Sequence, residues 1–81
     1  MEYEYKPINN VKALENKLLF VGFVTGSSIT LDMSEYLKTI RYRCLQDEET
    51  WKEVATDGYL IYWKGVDLSY EEVLLMATEK Y

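Results

Sequence analysis

The sequence predicts a small α+β domain, an antiparallel sheet with two or three helices packed on it. Three features predict it. Ile29, Leu31 and Met33 alternate with Ser28, Thr30 and Asp32, the period of a half-buried strand. Leu18 to Val24 is apolar on both faces, as in an inner strand covered on both sides. Ser69 followed by Glu72 is a capping box, and it opens an apolar stretch that reads as the closing helix.

The elements follow in order. Residues 1–7 read as an extended arm in which Tyr3 and Tyr5 alternate with Glu2 and Glu4 ahead of Pro7, able to add to a sheet edge or a partner. Residues 8–15 read as a weak strand. Glu15-Asn16-Lys17 is a tight turn, because Asn tolerates the left-handed conformation. Gly22, inside the second strand, marks a bulge or a close packing neighbour. Thr25-Gly26-Ser27 turns the chain into the alternating strand, which completes a three-stranded meander.

Ser34 to Lys38 is open between a short helical turn capped by Ser34 and extended chain, and Thr39 to Leu45 between a loop and a short strand. Asp47 is a good N-cap, and Glu48 and Glu49 suit the positive end of the helix dipole. Trp51, Val54 and Ala55 share one face of that helix, which should stop before the turn pair Asp57-Gly58. Tyr59 to Trp63 is a strand of strong β-formers, turned by Lys64-Gly65. Asp67 then reads as a turn residue beside Trp63. In the closing helix Leu68 and Val73 form a hydrophobic staple, and Tyr70, Val73, Leu74, Ala77 and Tyr81 share the core face. Leu75 and Met76 flank it; exposure of both would mark a docking surface.

One domain spanning residues 1–81 fits the length, and 48% hydrophobic with 15% aromatic residues is enough for a folded core. The acidic start, where a secretory signal would be basic and then apolar, and the shortness of every apolar run point to a cytoplasmic protein with no membrane partner. Residues 1–46 hold six Lys/Arg against five Asp/Glu, and residues 47–81 hold three against nine, so the net charge of −5 sits in the second half.

The chemistry classes narrow quickly. With no His and one Cys, the chain cannot build a Ser-His-Asp or Cys-His site, a His-containing or Cys₄ zinc site, or an iron–sulfur cluster by itself. Cys44 reads as a small buried hydrophobe. The carboxylates lie in helix first turns and on wet faces, which suits capping and solubility rather than acid–base work or a metal. No Gly-rich phosphate loop is present, and Lys38, Arg41 and Arg43 make too small a basic face for direct nucleic-acid binding at this acidic pI. The plainer expectation is that these Arg residues pair with the acidic helix beginning at Asp47. Trp51, Tyr59 and Trp63 read as core; Tyr36, Tyr62 and the terminal Tyr residues are open between core and interface.

An apolar strand, a Gly-containing turn, an alternating strand ending in Asp32-x-Ser34, then Leu45-x-Asp47 with Trp51, and finally Trp63-x-Gly65-x-Asp67-Leu68-Ser69 with Val73-Leu74 make a pattern that extends over roughly residues 8–76. It resembles the bacterial family known as domain of unknown function twenty-four-forty-two. The resemblance implies a small α+β domain. It also implies regulators, where a C-terminal helix-turn-helix follows, and antitoxin-like proteins, where the domain stands alone beside a toxin-like neighbour. The expectation for this chain is the stand-alone form, and the family brings no catalytic residues with it.

The functional expectation is therefore a non-catalytic, cofactor-free and metal-free interaction module that binds and modulates a partner protein, such as a basic nucleic-acid enzyme. The partner-binding candidates are Asp47, Glu48, Glu49, Glu53, Tyr62, Asp67, Glu71, Glu72, Leu75 and Met76, and a homodimer is compatible with them. The alternative is a detached regulatory domain that senses a small ligand in a pocket lined by Trp51, Tyr59 or Trp63.

Overall fold

The computed structural model describes residues 6–78. The arm at residues 1–5, with Tyr3 and Tyr5, and Tyr81 lie outside the described residues. The domain is α+β, built on two antiparallel three-stranded sheets. The first contains β1 (Ile8–Ala13), β2 (Leu18–Phe23) and β3 (Ser28–Asp32), with β2 in the centre. After β3 come 3-10 turns at Tyr36–Lys38 and Arg43–Gln46 and the short helix α1 (Glu48–Lys52). The second sheet contains β4 (Ala55–Thr56), β5 (Leu60–Trp63) and β6 (Val66–Ser69), and helix α2 (Tyr70–Thr78) closes the fold.

The β1–β2 hairpin turns where the sequence predicts. Asn16 and Lys17 both adopt left-handed backbone, φ 62° and 59°. Asn tolerates this geometry; Lys ordinarily does not. The Lys17 side chain explains its presence: its ammonium meets Glu48 Oε2 at 2.9 Å, the Leu45 carbonyl at 3.4 Å and the Trp51 ring at 5.5 Å, tying the turn to α1. Gly22 lies opposite a register shift between Ile8 and Asn10, and a Cβ at Gly22 would run into the Asn10 side chain. Of the two expectations for this glycine, the close neighbour holds; the bulge is in β1, where Asn9 is the extra residue.

The core joins both sheets and α2. Leu19, Val21, Leu31, Met33, Leu45, Trp51, Ile61, Trp63, Leu68 and Val73 are buried within it. Trp51 and Trp63 stack with centroids 5.7 Å apart and planes 16° from parallel. Each indole N–H is satisfied: Trp51 Nε1 donates to the Leu14 carbonyl at 3.1 Å, and Trp63 Nε1 to the Trp51 carbonyl at 3.0 Å. Large rings can therefore be buried without stranding a donor.

Several expectations need correction. The sheet is not a meander plus one strand, because Ala55–Thr56 and Val66–Ser69 pair on either side of β5 to make a second sheet. α1 ends at Lys52 instead of running to the Asp57 turn. β-branched Val54 and Thr56 favour extended chain, and pairing with Ile61 and Tyr62 satisfies backbone groups that a longer helix would satisfy only for itself. Ser34 does not cap the 3-10 turn; its amide and hydroxyl both donate to Asp32 Oδ1, at 3.0 and 2.7 Å. For Thr39 to Leu45 the loop alternative holds over the strand, with turns and a 3-10 segment. Tyr59 and Leu74, expected in the core, are 39% and 40% exposed, and Cys44 is exposed rather than buried.

Candidate functional site

The start of α2 carries the densest polar geometry among the described residues. The capping box forms as predicted: Ser69 N–H donates to Glu72 Oε1 at 3.0 Å, and Glu72 N–H to Ser69 Oγ at 3.1 Å. Leu68 and Val73 are both fully buried, as the staple requires. Asp67 is not in a turn. It lies on β6, opposite Tyr62 on β5, and Tyr62 pairs in turn with Ala55 on β4. Asp67 and 41%-exposed Tyr62 thus stand side by side on the outer face of the second sheet.

Arg41 completes this group. Its guanidinium donates to Glu72 Oε2 at 2.7 Å and Oε1 at 3.0 Å, and to the Asp67 carbonyl at 2.8 Å; the Asp67 carboxylate lies 3.9 Å away. It also stacks over the Tyr42 ring at 4.9 Å. The hydrogen bond from Arg41 holds the Glu72 carboxyl below its ordinary range, helped by the Ser69 amide, and the same bond raises the Arg41 guanidinium. Burial pushes the Tyr42 hydroxyl up. The expectation that the Arg residues pair with α1 is corrected for Arg41, whose partners lie on β6 and α2. Sequence reading could not assign them across 26 and 31 residues.

The α1 acids lie elsewhere. Asp47 caps the helix, accepting from Thr50 N–H at 3.0 Å and Thr50 Oγ1 at 2.9 Å, and these bonds lower its carboxyl. Glu48 is held by Lys17. Glu49 and Glu53, like Glu71 on α2, are exposed and form no ion pair among the described residues. α1 packs on β1 and the Arg43–Gln46 turn, whereas α2 packs on β6 and β3. The ten candidates are therefore distributed over separate surfaces. Leu75 is 60% exposed, but Met76 packs against the core, so the condition of a doubly exposed pair is not met.

Two open depressions flank α2. One, of about 370 Å³, is lined by Pro7, Tyr59, Leu60, Ser69, Tyr70 and Glu71. The other lies between α2 and the Tyr36–Tyr42 segment, with Arg41 and Glu72 in its wall. The predicted Trp51 and Trp63 pocket walls are corrected: those rings are stacked in the core, whereas Tyr59 lines a depression. Sequence reading missed Tyr70 as a groove residue, because its place on the helix face signals core alone.

Apart from Tyr42, Trp51 and Trp63, no side chain with a polar group is buried among the described residues, and no group of three or more His, Cys, Asp or Glu there is arranged to hold a metal. Asp32, Asp47, Asp57 and Glu72 are all held in the ionised direction, opposite to a general acid working near neutrality. No helix among the described residues is long and apolar enough to cross a membrane. In comparisons with known proteins, no protein-family model, no curated protein and no solved structure matches this chain.

Proposed function

We propose that this chain is a non-catalytic interaction module that binds and modulates a basic partner protein through its acidic second half. The supporting observation is that Glu49, Glu53 and Glu71 are exposed and engaged in no ion pair among the described residues. Folding consumes Asp47 and Glu72 in caps and leaves these three carboxylates available. Exposed Tyr62 beside Asp67 supplies an aromatic anchor of the kind that interfaces favour. Long-range attraction from these carboxylates, spread over α1 and α2, speeds encounter with a basic protein and weakens with salt.

Membership of the family that residues 8–76 resemble is part of the same proposal and agrees with an antitoxin-like or inhibitor-like role. Trp63, Gly65, Leu68 and Ser69 of the closing segment serve the core, the hairpin turn and the helix start, which supports a folding role for the motif.

The test is capture of basic nucleases on immobilised protein at rising salt, with Glu49→Lys and Glu53→Lys combined as the variant. Retention should fall with salt and be lost in the variant. Salt-independent retention, or full retention by the variant, overturns the acidic-surface reading. The alternative, a small-ligand-sensing domain, is favoured by the depression between Tyr59 and Tyr70. It predicts a metabolite that raises the thermal midpoint of the wild type and not of Tyr59→Ala.

A further inference from the structure

We propose that β3 pairs edge to edge with β3 of a second copy of this chain, antiparallel about a two-fold axis at Thr30. An open strand edge is a template for further pairing, and natural proteins usually cover or charge it. The other outer edges here are covered. Ile8 N–H at the start of β1 donates to the Gly58 carbonyl at 3.0 Å, and β1 runs beside β4 and α1. At β6, Arg41 takes the Asp67 carbonyl and Glu72 takes the Ser69 amide. β3 is guarded least: Ser28–Asp32 contains no Lys, no Pro and no register shift against β2, and its one charge, Asp32, stands at the end of the strand.

The register shows which groups face outward. Phe23 N–H donates to the Ser27 carbonyl at 2.8 Å, and Met33 N–H to the Lys17 carbonyl at 2.9 Å. Antiparallel ladders alternate, so Val21–Ile29 and Leu19–Leu31 are the hydrogen-bonded pairs between β2 and β3. The amides and carbonyls of Ser28, Thr30 and Asp32 therefore point away from β2. All three residues are exposed, and no backbone bond from another described segment reaches them.

These outward groups are self-complementary. Antiparallel pairing about Thr30 sets Thr30 against Thr30 of the second copy and Ser28 against its Asp32, in both directions. Each is a hydrogen-bonded pair, so about six backbone bonds form. Ile29 faces Leu31 of the second copy on the apolar side, and Ser28 offers its hydroxyl to Asp32. A shift by two residues in either direction loses one pair, and centring on Asp32 sets two carboxylates face to face. The Thr30 register keeps them roughly 13 Å apart, beyond the Debye length at physiological salt.

The test is sedimentation or light scattering of the full chain from micromolar to submillimolar concentration, with two variants on the same exposed strand face. The wild type should move from monomer to dimer with concentration. Thr30→Lys sets like charges directly opposite and should weaken the dimer up to about fivefold. Ser28→Lys meets Asp32 of the second copy and should tighten it. Each copy carries net charge −5, so the dimer should strengthen with salt. Capture of a basic partner should weaken, and the two proposals therefore fail separately. A monomer at every concentration, or a dimer that Thr30→Lys leaves intact, overturns the inference; thermal midpoints of both variants near the wild type exclude misfolding as the cause.

Discussion

Arg41 and Glu72 meet in a two-point ion pair, 2.7 and 3.0 Å, that also closes the free edge of β6. Arg41 occupies the Asp67 carbonyl and Glu72 the Ser69 amide, so one pair of side chains caps α2, guards a sheet edge and ties the 3-10 region to the second sheet.

Removing Arg41 should cost only about 1 kcal/mol, because half-exposed ion pairs are screened by solvent even when bidentate. Urea denaturation of Arg41→Ala and Glu72→Gln, singly and together, checks this. The double variant should lose less than the sum of the singles, since both break one interaction.

Acid should destabilise the fold. Asp32, Asp47, Asp57 and Glu72 all have folded-state values below their ordinary ones. Such groups contribute stability above the unfolded value and lose it as pH falls through the folded value. The urea midpoint should therefore be flat near neutrality and fall below the ordinary carboxylate range, less steeply in Arg41→Ala, where the largest cause of the Glu72 shift is gone.

Gly58 and Gly65 separate backbone strain from crowding. Both have left-handed backbone, φ 104° and 85°. A Cβ at Gly65 meets nothing within 4 Å, so Gly65→Ala should cost about 1 kcal/mol of conformational strain. A Cβ at buried Gly58 would lie 2.8 Å from Lys6 Cβ, so Gly58→Ala should cost more. Thermal or urea unfolding of the two variants ranks them.

The stacked Trp pair should dominate stability. Trp63→Ala opens a large cavity and strands the Trp51 carbonyl, a loss of about 3–5 kcal/mol, comparable to the whole stability of a domain this small. Trp63→Phe keeps most of the volume and should remain folded with a clearly lower midpoint. Circular dichroism on purified protein distinguishes the two outcomes.

Ser69→Ala tests the capping box alone and should lose about 1 kcal/mol through the orphaned Glu72 amide, with the rest of the helix in place.

What could be read in advance was local. Asn16 marks a left-handed turn because few other residues accept one. Ser69 and Glu72 announce a helix because the cap bonds span only three residues. Asp47 announces α1 for the same reason. β4 and the strand character of Val66–Ser69 were not legible, because such short segments become strands only when β5 lies between them to complete their hydrogen bonds. Tyr59 and Leu74 carry apolar periodicity but end at the margin of the core, and nothing in their spacing says on which side of that margin they fall.

The sequence by itself determined the α+β class, the meander, the close packing at Gly22 and both helix starts. These follow from side-chain types and spacings over a few residues. Tertiary structure alone decided the second sheet, the partners of Arg41, the Lys17 tether and which strand edge stays open. Each of these depends on contacts between residues far apart in the chain, where hydrogen bonding and charge are assigned by proximity in space and not by order in sequence.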